Sequence, residues 1–316
     1  MKSKKRIYFF SAMVLVISFL FITMGLNANN WSYALSRRLP KLLAILLTGG
    51  SIAFSSVIFQ TITNNRILTP SVLGLDSLYL FIQTGAVFIF GSNTVARIGN
   101  NGNFLITVIV MIAFSFLLFQ LLFKREGNTV FFLLLVGMVL GTFFQSLSSF
   151  MQMLIDPNEF MVVQNKMFAS FNNVNTSILW ISCIGVIGAM LYTFQNRKTL
   201  DVLSLGRENA INLGVEYDKV VQRMLIVVAI LVSISTALVG PITFLGLLVV
   251  NLAREFLDTY QHRYLLIGST LISFIALVGG QLMAERVMNF STPISVIINF
   301  IGGLYFIYLL LKESKL

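Results

Sequence analysis

Metal or thiol chemistry in this chain would have to run through one histidine, His262, and one cysteine, Cys183. No spacing of Cys, His, Asp and Glu suits a metal ion, and a single thiol excludes an internal disulfide. Cys183 sits inside an apolar run, where a lone thiol packs as a small hydrophobe. Phosphate chemistry is equally unsupported: the glycine pairs Gly49-Gly50, Gly279-Gly280 and Gly302-Gly303 have no lysine behind them at P-loop spacing. The chain therefore carries no nucleotide cradle and does not hydrolyse ATP alone. Proton- or sodium-coupled transport would call for ionisable groups within the apolar runs, because a charge there is expensive and kept for use. Asp76 is the one acid well inside such a run, in "VLGLDSLYLF", and it stands where a helix start needs an acceptor for its orphan N–H groups. There is no paired set of carboxylates and no His beside Ser or Cys, so no catalytic constellation is legible.

What the runs do contain is small and polar residues. "TGGSIAFSSVIFQTITNN" (Thr48 to Asn65) and "GMVLGTFFQSLSSFMQ" (Gly137 to Gln152) place Gly, Ser, Thr and Gln on several helical faces. Such residues let helices approach closely and hydrogen-bond across the contact, and they also suit the wall of a path for a polar solute.

The elements that hold these residues follow from composition. Of 316 residues, 57% are hydrophobic and 11% charged, far from a soluble chain, so the protein is expected to be all-α and polytopic in a membrane. The formal charge of +10 does not point to nucleic acid, because the bases flank apolar runs and do not interleave with aromatics on a polar face. Apolar runs fall at 7–26, 39–60, 72–91, 104–123, 129–155, 177–194, 224–240, 242–256, 265–282 and 293–311, which predicts ten membrane helices with the eighth short. The basic start "MKSKKR" and the apolar run behind it also fit a signal peptide, but "LNANN" is a poor cleavage site, and a retained first helix is expected.

Two halves of five spans joined near residue 175 would make an inverted repeat. With the N-terminus inside, 16 of the 22 Lys and Arg residues fall on inner segments, so both termini are expected in the cytoplasm. The outer loop from Asp156 to Thr176 suits a short surface helix. The inner loop from Gln195 to Arg223 is the most polar stretch, yet Leu203, Leu205, Ala210, Leu213 and Val215 give two short helical pieces, parted by glycine, an apolar side. That side is expected to dock a cytoplasmic partner, with the lipid surface as the other candidate. Finally, the run from Met224 to Ala253 is too long for one span and too short for two; Gly240-Pro241 in its middle predicts one full helix, a break and a stub.

Four motifs in register, "RLPKLLAILLTGG" (38–50), "LTPSVLGLDS" (68–77), "LSLGRENAINLGV" (203–215) and "GPITFLGLLVVNLAR" (240–254), resemble the permeases of vitamin B12 and ferric-siderophore importers along the whole chain. The resemblance implies a ten-helix permease that pairs with a second permease chain, two cytoplasmic ATPases that use ATP and Mg, and an extracellular binding protein. It implies a place in the bacterial plasma membrane, with no cofactor bound by the chain itself. The family's coupling pattern L-G-E-E-x-A-x-x-L-G is matched by Leu205, Gly206, Glu208, Ala210, Leu213 and Gly214, with Arg207 in place of the first glutamate. That arginine is expected to meet an acid on the ATPase. Arg38 and Lys41 of the R-x-P-[RK] motif, together with Arg286, resemble bases that meet acids of the binding protein at the outer mouth. Gly240 and Pro241 shape the path, and Asn128 and Thr129 occupy the family's small polar gate positions. Thr243 replaces a family glycine, and Val250-Asn251 replace Pro-His. This last departure resembles a branch serving catechol-type iron chelates, commonly through two different permease chains. Ferric siderophore is the expected cargo, with cobalamin or haem as the alternative and a secondary carrier as the rival class.

Overall fold

The computed structural model describes residues 2–24, 31–123, 130–172, 174–289 and 292–313. These residues form helices α1 (Lys2–Thr23), α2 (Trp31–Ile62), α3 (Leu75–Phe123), α4 (Val130–Leu154), α5 (Pro157–Met167), α6 (Thr176–Gln195), α7 (Arg197–Leu203), α8 (Arg207–Asn212), α9 (Tyr217–Val239), α10 (Leu245–Leu257), α11 (His262–Arg286) and α12 (Ile294–Glu313), with a 3₁₀ turn at Pro70–Leu73. No strand occurs among the described residues. Among the described residues, eight helices are long and apolar enough to cross a membrane.

The difference from the ten expected runs lies in α3 and α10. Helix α3 has 49 residues, but Gly91 (φ 74°) and Gly99 (φ 73°) leave helical geometry within it. Gln83 Nε2 donates to Thr107 Oγ1 at 2.8 Å, and Asn103 Nδ2 donates to Gln83 Oε1 at 3.0 Å. In a straight helix, residues 20 or more positions apart would lie about 30 Å apart or more. The chain therefore turns back at 91–99, and α3 supplies two antiparallel limbs, the third and fourth expected runs. Helix α10 has only 13 residues, about 20 Å of helix, and falls short of a hydrocarbon core of about 30 Å. It is the stub that the Gly240-Pro241 break predicts, and α9 ends at Val239 as expected.

Helix α2 begins earlier than the expected run, at Trp31, and continues through the charged Arg37, Arg38 and Lys41 and through Pro40 in its third turn, where the Ser36 carbonyl forgoes its helical donor. It is the central post of the bundle, packed against α6, α9, α10 and α11. Its buried face includes Thr48, Gly49, Gly50, Ser51, Ser55, Ser56 and Gln60. The second small-residue stretch works the same way. A Cβ on Gly137 would lie 2.9 Å from Leu73 Cα, and one on Gly141 would lie 3.0 Å from Gly74 Cα, so only glycines allow α4 to lie against the 3₁₀ turn. Asp76, at the start of α3, has its carboxyl group bonded by the hydroxyls of Ser71 and Thr236, which ties that start to the turn and to α9.

By contrast α1, the outer face of α4 and α12 leave large apolar side chains uncovered, among them Phe9, Phe19, Phe131, Phe143, Phe300 and Ile307. A surface of that kind belongs against lipid or another membrane helix.

The 156–176 loop contains the expected short helix, α5, capped by Asp156, whose carboxylate accepts from the Asn158 N–H at 2.9 Å. The 195–223 loop contains α7 and α8, parted at Gly206 (φ 93°) as its glycine predicts.

Candidate functional site

The bundle has two ends, and the sequence-derived residues divide between them. At the end bearing α5, Arg38 Nη1 donates to the Ile22 carbonyl at 2.6 Å, and Arg286 donates to the Met24 carbonyl. Both guanidinium groups thus close the C-terminal end of α1, where carbonyls lack helical partners and the helix dipole is negative. Lys41 Nζ lies 2.7 Å from Glu285 Oε1 and donates to Asn172 Oδ1 at 3.0 Å; the side chains of the ion pair are 15% and 11% exposed. Gln281 Nε2 donates to the same Glu285 oxygen at 2.8 Å. The fold therefore gathers Arg38, Lys41 and Arg286 around one rim and binds each of them to groups of this chain. Nearby, burial holds the Lys166 ammonium of α5 below the ordinary lysine value.

Beneath that rim lies the Gly240-Pro241 break. The loop after α5 reaches down to it: Ser170 N–H donates to the Val239 carbonyl at 2.9 Å, and Ala169 N–H donates to Ser295 Oγ at 3.1 Å. Gly240 has φ 103°, and a Cβ there would lie 3.0 Å from Ala169 Cα and 3.1 Å from the Phe168 carbonyl oxygen. Pro241 is buried beside it. The break is thus a fixed contact between the α9–α10 corner and the 168–172 loop. Asn128 and Thr129 lie outside the described residues.

The opposite end carries α7 and α8. Leu203 and Ala210 are fully packed against the rest of the chain, while Leu205, Ile211 and Leu213 are exposed at 55%, 46% and 62%. The apolar side expected from the sequence is therefore two sides. Leu203 and Ala210 anchor the segment to its own bundle, and Leu205, Ile211 and Leu213 face outward. Gly206 and Gly214 (φ 83°) supply the left-handed turns on either side of α8, and Glu208 is exposed in its first turn. Arg207 finds an acid within its own chain: Nη2 lies 3.3 Å from Asp218 Oδ2, and its guanidinium lies 5.8 Å from the Tyr217 ring centre.

Sequence reading missed what fastens this segment. The imidazole of His262, at the start of α11, has Nδ1 2.7 Å from Asp201 Oδ1 of α7 and Nε2 2.8 Å from Thr61 Oγ1 of α2. The His262 N–H donates to the same aspartate oxygen at 2.7 Å. One buried ring thus ties the α7–α8 segment to the central post and to α11. The available signal was a sole histidine directly at the end of a polar loop, but a lone histidine has no sequence neighbour that names its partner. Asn251 was noted only as a departure. Its Nδ2 donates to the Arg66 carbonyl at 2.9 Å and to the Leu247 carbonyl at 2.9 Å, so it pins the 63–66 turn onto the stub α10.

A bundle of apolar helices with a short segment after the Gly240-Pro241 break, a rim of tethered bases and an outward-facing helix pair at the other end is the architecture of a polytopic membrane protein. The profile of the FecCD transport family matches residues 7–312, and the chain belongs to that family. It is 65% identical over 304 residues, 96% of this chain and 95% of the other, to the petrobactin import system permease protein YclO of Bacillus subtilis. It is 38% identical over 89% of its length to the petrobactin import system permease protein FatC of Bacillus anthracis, covering 79% of that chain. In fold it is similar to a metal-chelate type ABC transporter solved in an inward-facing conformation, with TM-score 0.84, 23% identity and coverage of 98% of this chain and 99% of the other.

Proposed function

We propose that this chain is one permease subunit of an ATP-driven, binding-protein-dependent importer of a ferric siderophore, with petrobactin as the first cargo to test. The observation that carries this reading is the 65% identity, over nearly the full length of both chains, to a permease of a petrobactin import system. Two cytoplasmic ATPases dock on the α7–α8 end and supply the work of alternating access, while a second permease chain completes the path. The exposed Leu205, Ile211 and Leu213 are the residues that meet the ATPase. An extracellular binding protein delivers the chelate to the rim of Arg38, Lys41 and Arg286. In this orientation both termini are cytoplasmic, in keeping with the excess of Lys and Arg on the segments at that end.

The test is reconstitution of the assembled importer in liposomes, with binding protein outside, comparing ATP-dependent uptake of ferric petrobactin with that of cobalamin. Uptake of the iron chelate alone is expected. Uptake that ignores ATP and follows an ion gradient would overturn the reading in favour of a secondary carrier.

A further inference from the structure

At the α7–α8 end a cavity of about 770 Å³ opens among α2, α10, α11 and α12, lined by Gln60, Arg66, Asn251, Arg254 and Tyr305 among others. That volume is in the range of small-molecule sites. Its deep wall contradicts ordinary packing. Gln60 is 1% exposed, and neither its Nε2 nor its Oε1 has a hydrogen-bond partner. The Arg254 Nε and the Tyr305 hydroxyl are likewise buried and without a partner. Arg66, an exposed residue, lines the same cavity as Arg254, so two positive charges face it.

The carboxylates that face the cavity do not relieve this. Glu255 is engaged by Lys312 at 3.4 Å, and Asp258 is an exposed residue beside the half-buried Thr259 and the exposed Tyr260. Asp201, behind the wall, is committed to His262 at 2.7 Å. Arg254 makes no ion pair among the described residues. Arg254 is half-buried with its Nε withdrawn from water, so this wall presents cationic donors with no anion to meet them, and a buried amide that satisfies neither its donor nor its acceptor adds a cost. Water can satisfy the amide, but it brings no charge.

We propose that this cavity binds an organic oxyanion, a molecule whose phosphate or carboxylate group is taken by Arg254 and Arg66 and oriented by the Gln60 amide and the Tyr305 hydroxyl. The room beyond one phosphate accommodates the rest of the molecule along Leu265 and Leu309, which also line the cavity. Phosphate chemistry of this kind comes from two sources, the headgroup of an anionic lipid in the adjoining leaflet or a soluble metabolite. Leu205 at the opening belongs to the proposed ATPase contact, whereas the unpaired Gln60 amide and Tyr305 hydroxyl lie at the buried wall, out of reach of a docking protein's surface and open to a small molecule.

The test uses the assembled importer, wild type and three variants, Gln60→Leu, Arg254→Gln and Tyr305→Phe. Binding of glycerol 3-phosphate and of citrate is titrated in detergent, and retained phosphatidylglycerol is counted by native mass spectrometry after extraction from nanodiscs. Wild type is expected to bind one class. Gln60→Leu and Arg254→Gln should each weaken it about tenfold or more, and Tyr305→Phe by less. Soluble ligands alone would identify a metabolite site; phosphatidylglycerol alone would identify a lipid site. If neither binds, or if binding is the same in all variants, the proposal is wrong. Tyr305→Phe removes one hydroxyl with no partner, so it keeps the test informative should Arg254→Gln fail to fold. Uptake is not the readout, so the cargo assignment stands or falls separately.

Discussion

The two ends of this bundle are finished differently. At the α5 end, every base singled out by sequence is already held: Arg38 and Arg286 on the last carbonyls of α1, Lys41 on Glu285 and Asn172. At the α7–α8 end, three large apolar side chains face outward and several buried polar atoms go unsatisfied. The first end is a self-contained clamp, and the second leaves apolar side chains and polar atoms open. On the proposed function this asymmetry has a use: a face that meets a delivering protein repeatedly gains from being rigid, whereas a face joined to an ATPase transmits movement through side chains reserved for that contact.

The largest effect is expected where the rigid end is fixed from within. Gly240→Val introduces a Cβ about 3.0 Å from Ala169 Cα at φ 103°. Backbone must move on both sides, and the residue itself leaves its favoured conformations, at a cost of about 3 kcal/mol or more. Failure to recover monodisperse protein, or a clearly lowered Tm, is the expected result. A Tm equal to wild type would mean that the 168–172 loop yields easily and the end is not rigid.

Next comes the exposed pair at the other end. Leu205→Asp with Leu213→Asp should leave the Tm of the isolated permease within a degree or so, yet abolish co-purification of the ATPase, since loss of central apolar contacts costs about 2 kcal/mol or more each. Ala210→Arg is the opposing control. Ala210 is fully buried, so a bulky charge there should damage the fold itself. If Ala210→Arg folds normally while the double variant does not, the division of this segment into an anchored side and a docking side is wrong.

His262 sharpens the comparison further, because it joins the docking segment to helices that run the length of the bundle. Each hydrogen bond that its ring makes to Asp201 and Thr61 is worth about 1 kcal/mol net, more for the one to the carboxylate. In the reconstituted importer His262→Ala should retain ATP hydrolysis but move less chelate per ATP. His262→Asn, which can still reach one partner, should recover part of that ratio. A proportional fall in hydrolysis and uptake would mean that His262 serves stability only.

Much of this architecture was legible because it follows from hydropathy and from backbone chemistry. The ten runs, the stub after Gly240-Pro241, the surface helix after Asp156 and the two pieces around Gly206 all depend on residues whose physical preference is local. The third and fourth runs are the two limbs of α3; what the hydropathy pattern did not show is that residues 92–98, between the breaks at Gly91 and Gly99, are themselves helical. The site was legible only as positions. Ala210 and Leu213 have the same polarity in a pattern, and only the packing of α8 decides that one is buried and the other exposed. Partners distant in sequence, such as Lys41 with Glu285 or His262 with Asp201 and Thr61, depend on how helices meet, and no spacing encodes that.

The smallest expected effect concerns Arg207, the residue that stands where the related pattern has glutamate. Its ion pair with Asp218 has side chains 58% and 61% exposed, so water and salt screen it, and a double-mutant cycle of Arg207→Ala and Asp218→Ala should give a coupling of about 0.5 kcal/mol or less. The same cycle on Lys41→Met and Glu285→Leu, whose side chains are 15% and 11% exposed, should give a clearly larger coupling of about 1 to 3 kcal/mol that resists added salt. The contrast follows from burial alone. Should the Arg207 cycle in the assembled importer exceed the one in the isolated permease, the added energy would come from an acid of the ATPase, and Asp218 would then act to hold Arg207 in place until the partner arrives. Equal couplings in both settings would leave Arg207 as a surface charge with no part in docking.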